Sequence, residues 1–251
     1  MEYSTFQLIL YIWIGIAVLT FILLLFVTAP YGRHSKTNWG PMINNRAGWI
    51  IMELPALALP ILFFLLGEGV KTTAAWIFLS LFTFHYFNRV VIFPFRLKTK
   101  GKNMPLVIVL MAIFFNLVNG FSIGYFLGNF AGSYTLSWLT DWRFIAGVII
   151  FFTGMAINWN ADSMLINLRK NSQGYQVPSG GLFKYISCPN HFGEIIEWTG
   201  YAILTWSLPG VSFAVWTIAN LLPRAMDHHK WYKGHFEDYP KNRKAVIPYL
   251  L

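Results

Sequence analysis

Leu8-Ile-Leu-Tyr-Ile-Trp-Ile-Gly-Ile-Ala-Val-Leu-Thr-Phe-Ile-Leu-Leu-Leu-Phe-Val27 carries no charged residue along its whole length. As a helix rising about 1.5 Å per residue, such a run reaches across a hydrocarbon core of roughly 30 Å. A signal-peptide core is shorter, and no small-residue cleavage site precedes Tyr31, so this segment is expected to stay as a membrane helix. The rest of the chain agrees. Of its 251 residues 56% are hydrophobic and only 12% charged, against about 25% charged in an ordinary soluble domain. Mean hydropathy is +0.50. Aromatic residues make up 18%, which suits membrane interfaces rich in Trp and Tyr. The single cysteine, Cys188, excludes an internal disulfide framework and a Cys-based metal cluster.

Seven apolar segments can be read, near 7–28, 50–66, 74–95, 105–128, 144–166, 194–208 and 210–224. In lipid each must satisfy its own backbone, so helices are expected and the fold class is an all-α integral membrane protein. The turn Ser207-Leu208-Pro209-Gly210 separates the last two, which could instead form a helical hairpin. The charges test the map. Arg33, Lys36 and Arg46 fall in one loop, Arg96, Lys98, Lys100 and Lys102 in another, Arg169, Lys170 and Lys184 in a third. Arg224, Lys230, Lys233, Lys241, Arg243 and Lys244 lie in the tail. These are 16 of the 19 basic residues, and seven spans put all of them on one face. The positive-inside rule then places the N-terminus outside and the C-terminus in the cytoplasm. The net charge of +9 is therefore a collar rather than a nucleic-acid surface. It serves topology and anionic lipid, or a polyanion such as a nucleotide phosphate.

Four of the ten acidic residues lie inside or beside these apolar stretches: Glu53, Asp162, Glu194 and Glu197. A charged group near the bilayer centre costs roughly 2.5–3.5 kcal/mol on insertion scales, so such groups face a cavity, a partner or a ligand. Glu53 stands in Met52-Glu53-Leu54-Pro55, where it either bonds a neighbouring helix or donates a proton to a ligand oxygen. His85, Tyr86 and Arg89 share one broad helix face, though Tyr and Arg there also suit simple snorkelling. Asn158, Asp162 and Arg169 stack at i, i+4 and i+11 if their helix continues that far. Asn190 and Glu194 are four apart, Glu194 and Glu197 three. Paired carboxylates on one face suit acid–base work, hydroxyl recognition or helix-start capping. Metal is disfavoured, because His191 has no second histidine to complete a facial set. Arg224, His228 and Tyr232 repeat every fourth residue. They form a cationic, hydrogen-bonding face, and the adjacent His228-His229 pair diverges too far around a helix to chelate. No Walker loop, dinucleotide Gly-x-Gly-x-x-Gly or Gly-x-Ser-x-Gly elbow is present.

Three stretches carry a family resemblance: Gly180-Gly-Leu-Phe-Lys-Tyr-Ile-Ser187, Asn190-His-Phe-Gly-Glu-Ile-Ile-Glu-Trp198 and Phe236-Glu-Asp-Tyr-Pro-Lys-Asn-Arg-Lys-Ala-Val-Ile-Pro-Tyr249. With Glu53-Leu-Pro55 and His85-Tyr-Phe-Asn-Arg89 they resemble the steroid 5-alpha-reductases, over nearly the whole chain. The match looks like a microbial-type member. The resemblance implies one seven-helix, NADPH-dependent transmembrane reductase domain over 1–251, taken to be a monomer. About 1–100 would form its substrate side and about 101–251 its NADPH side. The expected reaction saturates the carbon–carbon double bond of a 3-oxo-Δ4-steroid drawn from the bilayer. By matching motif, Glu53 and Tyr86 resemble the pair that holds the 3-keto oxygen. Arg89, Asn158, Asp162, Arg169, Asn190, Glu194, Arg224, His228 and Tyr232 resemble NADPH contacts. No metal is expected. The membrane would be the inner membrane of a prokaryote or the endoplasmic reticulum of a eukaryote. Two positions depart from the pattern: Met52 stands where animal steroid enzymes often carry glutamine, and Tyr175-Gln-Val-Pro178 replaces Tyr-Arg-Ile-Pro. Competing readings are a reductase of another lipid enone, enoyl thioester or polyprenol, and a membrane methyltransferase of the isoprenylcysteine carboxyl type. The latter usually carries Arg-His-Pro where this chain has Cys188-Pro-Asn-His191. A transporter or lipid receptor is a third, without an inverted repeat in its favour.

Overall fold

The structure, a computed structural model, describes the whole chain except residues 31, 35–37, 100 and 171–173. Lys36 and Lys100 of the basic groups lie outside the described residues. Seven long helices are found among the described residues: α1 (Tyr3–Phe26), α2 (Asn45–Leu66), α3 (Thr73–Arg96), α4 (Leu106–Asn129), α5 (Trp142–Lys170), α6 (Pro189–Thr205) and α7 (Leu208–His235). Each begins where its sequence allows. The Asn44 side chain accepts from the Arg46 and Ala47 amides at the head of α2, and Thr72 accepts from Ala75 at the head of α3. Such caps satisfy donors that a helix start leaves unpaired. Trp206 turns left-handed (φ 42°) and Ser207 caps Gly210, so the expected tight turn joins α6 to α7.

The protein is a multi-pass membrane protein. Helices α1 to α5 are long and apolar enough to cross a bilayer. The other two differ from the expected spans. α6 has 17 residues and begins at Pro189, ahead of the expected 194. α7 has 28 and runs eleven residues past the expected end, through a polar second half. The all-α expectation also needs one correction. Strands β1 (Met42–Asn44) and β2 (Asn103–Pro105) pair antiparallel, with Ile43 opposite Met104. Two loops leaving the same end of the bundle meet there and satisfy each other's backbone. Three-residue strands carry no readable alternation, so hydropathy could not reveal them.

Close helix packing rests on glycines. Gly120, Gly124 and Gly128 of α4 face the α2 backbone, where an added Cβ would lie 3.1 Å from Pro55 O, 2.6 Å from Pro60 O and 2.6 Å from Phe63 O. On α5, Gly147 and Gly154 interleave with Gly193 and Gly200 of α6. Small residues at such spacing let helices approach where lipid supplies no hydrophobic drive. The central core is aromatic, with Phe82, Trp198, Tyr201 and Phe213 buried together and the Trp198 and Phe213 rings 4.5 Å apart. Leu8, Ile12, Leu19, Leu23 and Phe26 of α1 are exposed toward lipid. The tail after α7 folds back onto the start of α6, where Ser187 and Cys188 amides donate to Lys244 O and Ala245 O.

Candidate active site

Inside the bundle, four helices bring five of the expected residues into one electrostatic neighbourhood: Glu53 from α2, Tyr86 and Arg89 from α3, Asp162 from α5 and Glu194 from α6. Arg89 is the hub. Its Nη1 lies 3.6 Å from Asp162 Oδ2, and its guanidinium sits 4.7 Å from the Trp49 ring and 4.6 Å from the Phe93 ring. A wide helical turn aims it. Residues Asn88–Ile92 adopt π geometry, with the Phe93 amide donating to Asn88 O. In that register Arg89 O would face Pro94, which has no N–H. Trp49 Nε1 donates to Arg89 O instead, at 3.1 Å. Local π turns of this kind are frequent at functional sites.

Toward the basic end, Asn158 Nδ2 donates to Asn190 O at 3.0 Å and to Glu194 Oε2 at 3.3 Å. Beyond Asn190 opens a cavity of about 110 Å³. Its lining includes Arg169, Asn190, Arg224, His228 and Tyr232. The i, i+4, i+8 stripe of α7 thus faces one void, and α5 continues far enough for Arg169 to reach it. All eleven predicted site residues therefore fall in two adjoining groups joined through Asn158 and Asn190.

Arg33, which the sequence reading left in the basic collar, lines the same cavity. Its Nη2 donates to Tyr232 OH at 2.9 Å, and its guanidinium lies 4.3 Å from the Tyr232 ring and 4.9 Å from that of Trp231. Beside it His34 Nε2 meets His228 Nδ1 at 3.0 Å. A shallow cleft adjoins, bordered by Arg33, Arg169 and Gln176. Gln176 is the position where the family pattern has arginine. A loop residue has no helical period, so only its place in the fold marks Arg33. Cys188 also lines the cavity, but burial pushes its thiol up to about 12, which leaves it a poor nucleophile.

Glu197 gains a partner that spacing alone did not show. His85 Nδ1 and Glu197 Oε1 are 2.7 Å apart, with side chains 1% and 0% exposed. The His85 ring packs 4.7 Å from Trp198. This buried pair ties α3 to α6 directly beneath Tyr86.

The sequence pattern of the family described as 3-oxo-5-alpha-steroid 4-dehydrogenase matches residues 102–251. Steroid 5-alpha-reductase DET2 of Gossypium hirsutum is 44% identical, over 94% of this chain and 93% of its own length. The 3-oxo-5-alpha-steroid 4-dehydrogenase 1 of Bos taurus is 42% identical over 96% and 95%, and that of Homo sapiens 42% over 88% and 86%. These plant and mammalian relatives give no support to a microbial-type placement. A relative at this identity along nearly the full length, with the family pattern on the cavity-bearing half, leaves one conclusion: the chain belongs to the 3-oxo-5-alpha-steroid 4-dehydrogenase family, the steroid 5-alpha-reductases.

Proposed function

We propose that this chain reduces the Δ4 carbon–carbon double bond of 3-oxo-Δ4-steroids with NADPH. The observation that carries the reading is the junction of two unlike sites. Glu53 and Tyr86 share one electrostatic neighbourhood within the apolar bundle, and a guanidinium-lined cavity opens toward the basic end. The cavity suits the cofactor by its donor set. Arg33, Arg169 and Arg224 converge on it, and the buried Arg33 Nη1 has no partner among the described residues. Guanidinium forks are the usual partners of phosphates. Arg33, Arg169, Arg224, His228, Tyr232 and Asn190 would hold NADPH there, with Asn158, Asp162, Glu194 and Arg89 toward its reactive end. NADPH, when bound, supplies the hydride.

The protein's own part follows from charge flow. Reduction of an enone at its β-carbon builds negative charge on the carbonyl oxygen. Glu53 as a neutral acid and the Tyr86 hydroxyl donate hydrogen bonds to that oxygen, which is oxyanion-type stabilisation. Their site within the bundle admits a lipophilic substrate from the bilayer. On this reading about 1–100 serve the substrate and about 101–251 the cofactor, with Arg33 lent across. All seven helices cross, the N-terminus outside and the basic collar cytoplasmic, in a monomer.

The test is direct. The detergent-purified protein with NADPH should lose the reduced-nicotinamide absorbance on addition of a 3-oxo-Δ4-steroid, with a product two mass units heavier. An enoyl thioester run in parallel distinguishes a related lipid reductase. No oxidation with either would overturn the reading.

A further inference from the structure

His85 of α3 and Glu197 of α6 meet inside the bundle, Nδ1 to Oε1 at 2.7 Å, with side chains 1% and 0% exposed. The proposed reaction gives neither of them a part, yet each stands beside a residue that has one. Tyr86 follows His85 directly, and Glu194 lies one turn before Glu197 on α6. Contact continues on both sides of the bond. Trp198, next after Glu197, sets its ring 4.7 Å from His85 and 5.9 Å from Tyr86. On the other side, Glu194 Oε2 accepts from Asn158 Nδ2, within the group assigned to the reactive end of the cofactor.

As a stability device the pair is poor. Burying two such groups is offset only where the remaining lone pairs also find donors, and the buried Glu197 Oε2 has none among the described residues. Apolar side chains of similar volume would hold two helices together as firmly. What a hydrogen bond adds is a fixed length and direction. We propose that His85 and Glu197 are positioning residues for the reaction. Their bond sets α3 against α6, and with it the Tyr86 hydroxyl against the reactive end of the cofactor. Hydride transfer depends on such a setting, because reacting atoms are productive only when held about 3–3.5 Å apart. The inference rests on the reading of Tyr86 as a donor to the substrate oxygen.

The experiment replaces both partners at once, His85→Phe with Glu197→Leu, so that no polar group is left buried alone. The readout is the single-turnover oxidation of bound NADPH by a 3-oxo-Δ4-steroid, counted per NADPH-binding site, beside steroid KM and the thermal midpoint in detergent. The single-turnover rate should fall roughly 10- to 100-fold, with KM and NADPH affinity changed far less. A purely structural role would lower the midpoint and the number of binding sites, and leave the rate per site untouched. Two single variants decide the matter if the double one does not fold. Glu197→Gln keeps the reach of the side chain and loses its charge, whereas Glu197→Asp keeps the charge and draws the acceptor back. Positioning requires the glutamine variant to be the faster; equal rates or the reverse order overturn it. Tyr201→Phe is the control. Tyr201 OH donates to Phe78 O at 3.2 Å, a second bond between α3 and α6 about two turns away, and its loss should leave the rate in place. Tyr86→Phe, run beside them, separates the two ideas. If it keeps full turnover, the role of Tyr86 fails and this inference with it. If it loses turnover while the apolar pair keeps the wild-type single-turnover rate, the role of His85 and Glu197 alone is overturned.

Discussion

At position 53 a single proton decides what the side chain can do. Glu53→Gln keeps the size and removes the acid, leaving a weaker donor. Turnover should drop by at least about 10²-fold, the scale of losing one oxyanion donor, while NADPH affinity stays within about twofold. Steady-state kinetics and a cofactor titration check both halves. The arginines should behave in the opposite way. Arg33→Ala and Arg224→Ala should each weaken NADPH binding about tenfold, in line with charge-assisted hydrogen bonds worth roughly 1.5–3 kcal/mol, and spare the chemistry of bound substrate. The comparison matters for Arg33 in particular. If its removal leaves NADPH affinity intact, its place in the cavity is only the packing it makes with Tyr232 and Trp231.

Between helices, the interleaved glycines of α5 and α6 make a sharper demand than any single side chain. A methyl group on Gly154 would run into the backbone of Glu197 and Gly193 O, and backbone cannot rotate aside. Gly154→Ala should destabilise the protein by about 1–3 kcal/mol, the usual cost of overpacking, measured by thermal unfolding in detergent. Glu197 lies on that seam, so the same change should also loosen its pairing with His85. The start of α5 responds to acid instead. Asp141 accepts from the Arg143 amide and guanidinium, and those bonds hold its carboxyl down at about 2, against an ordinary 3.8. A depressed carboxyl stabilises the folded state above its ordinary value and loses that effect as pH falls toward the depressed one. The difference in midpoint between wild type and Asp141→Asn should stay constant from pH 8 to 5 and shrink below about pH 4. Helical stripes were legible in the sequence because a period survives without neighbours. Arg224, His228 and Tyr232 needed only their spacing, and so did Asn158 with Asp162. The His85–Glu197 pair, 112 positions apart, and the Trp49 bond to the Arg89 carbonyl depend on which helices touch, and no period records that.

For the molecule as a whole, hydropathy and charge were enough to show a multi-pass bundle, but Arg224, Lys230 and Lys233, read as tail, lie within α7, and Arg169 and Lys170, read as loop, end α5. The same signals started α6 five residues late and missed how far α7 extends, because a helix supported by protein on several sides need not be apolar throughout. They also divided the chain into two halves more cleanly than the fold does. Gly32–His34 comes from the first loop, yet it rests on α7, with Arg33 bonded to a residue 199 positions away and His34 to one 194 away. Filling the cavity and ordering that segment are therefore linked equilibria, and linkage is reciprocal. A ligand seen only by the C-terminal helices would slow amide hydrogen exchange near the N-terminus. Exchange measured with and without NADPH should show protection at Gly32–His34 together with α7, and an Arg33→Ala chain should lose the first while keeping part of the second. A protease clip in the first loop would then act as an affinity mutation, although it removes no atom from the half of the chain that forms most of the cavity.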